Sequence, residues 1–512
     1  MPSCNSSGKS GRIWNDKLTT AGIRPLISLA SQSFVYGLGS FGRSLVLYIT
    51  IPLLTANMGM ESFGVVSVLI SMLSFFDMLS NAGLPAATFR LYNDDDNPAN
   101  QSDILGTSLL LFVIFAAVLG LVVWAFADQI AIQLLDDVRY APTIRIVAIL
   151  LVFATLIYYV QIVLRIQVRP KAKVLLDFVL IIAQAGAALV LVIIYSLGAF
   201  GYWLGQLAGA VLGLLVGIWL IRGTIALTSS RQKAIELLHY GLPLLPAAIG
   251  LWALRLADRW LITASLGLTE VAIYEVGYKV GMITALLIPP FLIAWPQFAF
   301  SRIHSPNAPR TYRNVLTTLA ASIMFLALFV ISFRHELVAL MAPAEYAAAA
   351  IVVPWIALSQ VAFALYPVLS LGPKIAKNTI LLSVVTLISC LVNLGLNFLL
   401  IPRIGILGAA YATFVGYWVL AIVVYIIGNR YFAFPIDWRR LAKVALAAIM
   451  TVFVTALVAD DVNVQWQRLL LQAGSLLIYP LILIVVGFIS LDQLREGWHL
   501  GLLQARRLLS AN

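Results

Sequence analysis

The sequence predicts an all-α polytopic membrane protein with about fourteen transmembrane helices. Two observations carry this prediction. Hydrophobic residues make up 62% of the 512 and charged residues only 11%, where a soluble domain has about 25% charged residues. The basic residues also fall in alternate loops between the apolar runs. A soluble chain of this length would need far more charge to cover its surface.

The apolar runs lie near 26–55, 62–89, 103–127, 144–164, 174–197, 201–221 and 236–265, and then near 271–300, 314–333, 347–371, 376–400, 404–428, 441–459 and 469–490. Each is long enough for the ~20 residues that a helical crossing needs. An even number of spans puts both termini on one side. Of the 33 basic residues, 24 fall in the two tails and in the loops on that same side, against five on the other. The positive-inside bias therefore places both termini in the cytoplasm. The loops near 128–143 and 334–346 are the longest outside and are too short to form an extramembrane domain. The net charge of +11 follows from this loop distribution and points to no nucleic-acid partner. Residues 1–18 have no apolar core of the kind a cleaved secretory signal carries.

Prolines recur within the spans, among them Pro243, Pro246, Pro289, Pro290, Pro296, Pro354 and Pro367. A helical bundle tolerates them because neighbouring groups satisfy the freed backbone. Gly205, Gly209 and Gly213 repeat every four positions, which puts them on one helical face and permits close helix approach. Catalytic patterns are missing. Gly8-Lys9-Ser10 lacks the upstream glycine of a P-loop, and no HExxH stretch surrounds the four histidines. Asp94, Asp95 and Asp96 read as a solvated turn. Cys4 and Cys390, the only cysteines, give neither a disulfide framework nor a thiolate metal site. The chain reads as a non-enzyme that needs no cofactor, with proton or sodium coupling left open.

Charges inside spans are the functional signal, because ionisable groups are costly in hydrocarbon. Residues 254–280 hold Arg255, Asp258, Arg259, Glu275 and Lys279 on either side of a short turn. Arg255 and Arg259 are four residues apart, as are Glu275 and Lys279, so each pair shares a helical face. At 1.5 Å per residue, Arg255 and Lys279 each lie roughly 15 Å from the turn. Both are then expected to reach a shared central cavity, with Asp258 and Glu275 offsetting part of the positive charge. Arg43 and Asp77 fall in the first two spans. They either pair with each other, or Arg43 joins Arg255, Arg259 and Lys279 in a cationic cavity suited to a pyrophosphate headgroup. Asp77, Asp258 and Glu275 are candidates for ion coupling or charge pairing.

Asn393 to Trp418 reads NLGLNFLLIPRIGILGAAYATFVGYW. It resembles the N..LN..LIP..G..GAA.AT pattern of the polysaccharide (O-antigen-type) flippases in the multidrug/oligosaccharidyl-lipid/polysaccharide exporter superfamily. Asp258, Arg259, Gly267, Ala272, Tyr274, Tyr278 and Lys279 are similar to a second pattern of that family. The resemblance covers roughly 25–490. It implies a cytoplasmic tail at 1–25, two parallel six-helix lobes at 26–222 and 236–428, an accessory helix pair at 438–490 and a tail at 491–512. It also implies that Asp258 and Arg259 brace the second lobe, leaving Arg255 and Lys279 as the stronger binding candidates. The implied function is transfer of a polyprenyl-pyrophosphate-linked oligosaccharide, for O-antigen, capsule or exopolysaccharide, to the periplasmic leaflet of a bacterial inner membrane. A polysaccharide polymerase and a chain-length regulator are the implied partners, and the oligomeric state is open. The competing readings are a peptidoglycan-precursor flippase, a cation-coupled multidrug exporter of the same superfamily, and a membrane glycosyltransferase or polymerase.

Overall fold

The computed structural model describes residues 46, 48–224, 228–376, 378–459 and 465–488. All regular structure among the described residues is helical. In order, the helices are α1 (48–57), α2 (Met60–Asn81), α3 (Leu84–Asp94), α4 (Pro98–Ala125), α5 (Ala127–Leu135), α6 (Ala141–Ile166), α7 (Pro170–Leu189) and α8 (Gly198–Ile221). Then come α9 (Arg231–Gly241), α10 (Leu245–Leu256), α11 (Asp258–Leu266), α12 (Leu268–Gly281), α13 (Ile288–Phe300), α14 (Ala308–Ser332), α15 (Arg334–Met341), α16 (Val353–Leu369) and α17 (Leu371–Ile375). The last are α18 (Thr379–Ile404), α19 (Ile406–Gly428), α20 (Trp438–Ala459), α21 (Gln465–Leu476) and α22 (Ile478–Val485).

Among the described residues, thirteen helical stretches are long and apolar enough to cross a bilayer. The first expected span lies mostly outside the described residues, with α1 as its end. Large apolar side chains such as Leu121, Ile182, Leu391 and Phe398 stand exposed on the outer faces of these helices. Outward apolar surface on this scale belongs in lipid. The chain is therefore an integral, multi-pass membrane protein.

Proline and glycine set the helix boundaries. Pro98, Pro142, Pro170, Pro309 and Pro354 sit in the first turn of their helices, where the missing N–H costs nothing. The span expected at 236–265 is broken twice, by a 3-10 turn at Leu242–Leu244 that contains Pro243, and again at Ala257. The span expected at 271–300 loosens into 3-10 geometry over Met282–Leu287, just before Pro289 and Pro290. The two longest outer loops are folded as α5 and α15, each followed by 3-10 geometry.

That folding reveals a repeat. A long helix, a short helix, a 3-10 turn and a second long helix occur in α4–α5–α6 and again in α14–α15–α16. Each unit is followed by a long hairpin, α7–α8 or α18–α19, that reverses at a positive-φ glycine, Gly198 (52°) or Gly405 (66°). The glycine face predicted on α8 packs on α7. A Cβ on Gly205 would overlap the Ala188 nitrogen, and one on Gly209 would lie 2.5 Å from the Gln184 nitrogen. The Asn393–Trp418 stretch is likewise a packing unit, since a Cβ on Gly408 would lie 2.5 Å from the Leu400 carbonyl carbon. Asn397 donates to Asn393 at 3.2 Å, with both side chains buried. Helices α20 and α21 pack against α14, where Gln472 of α21 donates to the Ser332 carbonyl, and Tyr479 of α22 donates to that of Ala321.

One helix, α2, forms a seam with α10–α12 along its length. At one end of α2, Gly64 packs so closely on the Leu268 carbonyl oxygen that a Cβ would overlap it. In its middle, Trp252 donates to the Ser71 carbonyl at 3.1 Å and Trp260 to the Ser71 hydroxyl at 2.7 Å. Beyond its other end, Gly83 meets the Gly241 carbonyl oxygen equally closely.

Candidate functional site

The turn between α11 and α12 is a single residue, Gly267, with φ 90°. Only glycine adopts that conformation without steric cost. Such a tight reversal brings the charged faces of α11 and α12 together. Arg259 Nη1 lies 2.6 Å from Asp258, and Nη2 lies 2.8 Å from Glu275. Its guanidinium also stands 4.2 Å from the Tyr278 ring centre, while Tyr274 donates to Asp258. Only 1% of the Arg259 side chain is exposed. The expected placement of Arg259 in an open cationic cavity is therefore corrected: two carboxylates and two aromatic rings enclose it. Asp258 and Glu275 are held in the same cluster.

Lys279 does reach a cavity. Its ammonium is 3.2 Å from Glu275, and its side chain is 26% exposed. A space of about 400 Å³ opens between α1, α2, α7, α8 and α12, with Lys279 and Glu275 on one wall. The Tyr48 hydroxyl donates to the Lys279 carbonyl at 3.1 Å, which ties α1 to that wall. A second space of about 290 Å³ follows, walled by α2, α6 and α7. Ile181 and Gln184 of α7 line both, so the two spaces adjoin along α7 and are taken together as the α7 corridor.

Asp77 lines the second space and accepts hydrogen bonds from Asn81 at 3.0 Å and Thr155 at 3.4 Å. Its expected partner, Arg43, lies outside the described residues. Arg255 lines neither of these two spaces, so neither brings it together with Lys279. Arg255 is exposed, and its guanidinium stands 5.1 Å from the ring centre of Phe363 on α16. Residues that sequence reasoning passed over complete the corridor. Asp177 pairs with Lys173 at 2.5 Å and accepts from Gln161 at 3.1 Å. Gln184, Tyr202 and Gln206 line the first space. The i, i+4 spacing of Lys173 and Asp177 was a readable signal. An uncharged glutamine in an apolar run sends a weaker one.

A sequence model described as polysaccharide biosynthesis protein matches residues 56–351, more than half of the chain. The chain belongs to this family. The match lies ahead of Asn393–Trp418, so it bears on a different part of the sequence from the clearest motif. The succinoglycan biosynthesis transport protein ExoT of Rhizobium meliloti (strain 1021) is 25% identical over 301 residues. That alignment covers 56% of this chain and 57% of that protein, so the chain spans little more than half the length of this relative. Among solved structures, the chain is similar to the lipid II flippase MurJ in an inward closed conformation. The TM-score is 0.68 at 13% identity, over 88% of this chain and 98% of that one. It is also similar to an inward-facing multidrug resistance MATE transporter of the MOP superfamily, with a TM-score of 0.61 at 16% identity over 76% and 94% of the two chains. At these identities the likeness is one of fold alone.

Proposed function

We propose that this chain is a flippase that moves a polyprenyl-pyrophosphate-linked oligosaccharide from the cytoplasmic to the periplasmic leaflet of a bacterial inner membrane. The observation that carries this reading is the corridor beside Lys279: a space inside the bundle whose mainly apolar walls carry a lysine, carboxylates and amides. A headgroup crosses through such a space while its lipid tail stays in the bilayer. Lys279, the cation on that wall, contacts the pyrophosphate. Membership of a polysaccharide biosynthesis family, and a relative named as a succinoglycan transport protein, support a glycan cargo. Succinoglycan-type exopolysaccharide is the cargo class we favour.

The chain works by alternating access, with the two six-helix lobes at 26–222 and 236–428 rocking about the α2 seam. The distribution of basic residues supports cytoplasmic termini. Energy comes from a proton or sodium gradient, or from supply and removal of cargo, and no catalytic step is assigned to the chain. Reconstitution in liposomes carrying labelled lipid-linked oligosaccharide in one leaflet tests this reading, with and without each gradient. Transfer that depends on the protein is expected. Absence of transfer, or chemical extension of the sugar by the purified chain, overturns it.

A further inference from the structure

The α7 corridor has a chemistry that the charges at its Lys279 end do not explain. Its polar lining is dominated by side chains that both donate and accept, or that only accept. The amides of Gln184 and Gln206 face the first space, and Gln161, Asp77 and Asp177 face the second. Among the described residues, the Gln184 and Gln206 amides are engaged by no other side chain or backbone group. Unpaired amides inside a lipid-facing bundle are costly unless they meet water or a ligand. Gln184 is also held in place, because α8 makes one of its closest approaches to α7 there, through Gly209.

We propose that this corridor is a polyhydroxyl subsite that receives the neutral sugars of the cargo, separate from the cation that meets its pyrophosphate. The proposal rests on the flippase reading above and names which part of the cargo sits where. A pyrophosphate is disfavoured along the corridor by Asp77 and Asp177, which repel it, and by the pairing of Lys173 with Asp177. A metal ion is a poor fit as well: among the described residues, no group of three or more His, Cys, Asp or Glu side chains is placed to hold one. Sugar hydroxyls fit both demands. They donate to the carboxylates, and they donate to and accept from the amides. Tyr202 on the same wall adds an aromatic side chain, a residue type on which a pyranose can pack. Each space has the volume of a small-ligand pocket, so sugars occupy the corridor one or a few at a time.

The test uses the full chain in detergent and three probes. They are the oligosaccharide released by mild acid from the lipid-linked pool of the producing cells, inorganic pyrophosphate, and sodium chloride. Binding is read by thermal shift and tryptophan fluorescence. The wild type is expected to bind the lipid-free oligosaccharide. A Gln184→Ala/Gln206→Ala variant should bind it about tenfold more weakly, as loss of two neutral hydrogen bonds implies, with pyrophosphate binding and unliganded Tm unchanged. Lys279→Gln should show the converse, losing pyrophosphate and keeping oligosaccharide. If the double alanine variant does not fold, Gln206→Met keeps the side-chain length while removing the amide without adding charge, and it should weaken oligosaccharide binding alone. The proposal is overturned if the oligosaccharide does not bind, if the glutamine variants bind it as the wild type does, or if sodium alone reproduces the response. A wild type that binds oligosaccharide but transfers no lipid-linked cargo supports the corridor and overturns the flippase reading.

Discussion

Arg259 and Glu275 face each other across the one-residue turn at Gly267, with Nη2 and Nε of the arginine 2.8 Å and 3.1 Å from the same carboxylate oxygen. They are sixteen residues apart in sequence and both nearly sealed from solvent. Desolvating two charges is expensive, and their pairing offsets that cost only while both partners remain. The cluster therefore ties α11 to α12. It is not available to a ligand.

Removing one partner strands the other. Arg259→Leu should cost about 3–5 kcal/mol, because it leaves Asp258 buried without its cation and Glu275 with Lys279 alone. A large drop in thermal midpoint and in folded yield is the expected result, measured by unfolding in detergent. An unchanged midpoint would show that the cluster does not hold the helices.

Lys279 differs from Arg259 in having an exposed face on the corridor. Lys279→Gln should leave the fold near its original midpoint. Transfer of lipid-linked oligosaccharide in liposomes should fall by about tenfold, the loss of one charge-assisted hydrogen bond. Wild-type transfer rates in this variant would remove Lys279 from the pathway.

Glycines on one hairpin should divide by what faces them. Gly209→Ala forces a methyl group into the Gln184 backbone and should cost about 1–3 kcal/mol as overpacking. At Gly186, on the partner helix, an added methyl group would point into open space, with no atom within 4 Å. Gly186→Ala should therefore raise stability by about 0.5–1 kcal/mol through helix propensity. Paired unfolding midpoints read both signs in one experiment.

The seam at Gly83 makes a different prediction. A side chain there meets the Gly241 carbonyl and also strains a backbone held at φ 70°. Gly83→Ala should push α3 away from α9. Cysteines placed on α3 and α9 should then label faster with a water-soluble maleimide than in the wild-type background, and equal rates would count against a closed seam.

Much of this was legible in the chain itself. The apolar runs and the loop bias in basic residues gave the membrane class and the approximate number of crossings. The four-residue glycine spacing marked the α7–α8 contact. Local helical periodicity also put Glu275 and Lys279 on one face, where they pair at 3.2 Å. Each of these signals is local, or is a sum over residues, so it survives without a fold.

What tertiary structure alone decided is which charges are paired off and which are open. Arg255 and Arg259 look alike in sequence, four residues apart on neighbouring turns. The break at Ala257 and the turn at Gly267 bury Arg259 between Asp258 and Glu275, while Arg255 faces Phe363. The corridor was hidden for a similar reason. Gln184 and Gln206 carry no charge to stand out in an apolar run, and only the packing of α7 and α8 against α2 and α12 places both on one wall. Sequence shows where polar groups enter the membrane. The three-dimensional pairing of those groups determines whether each is left to meet a ligand.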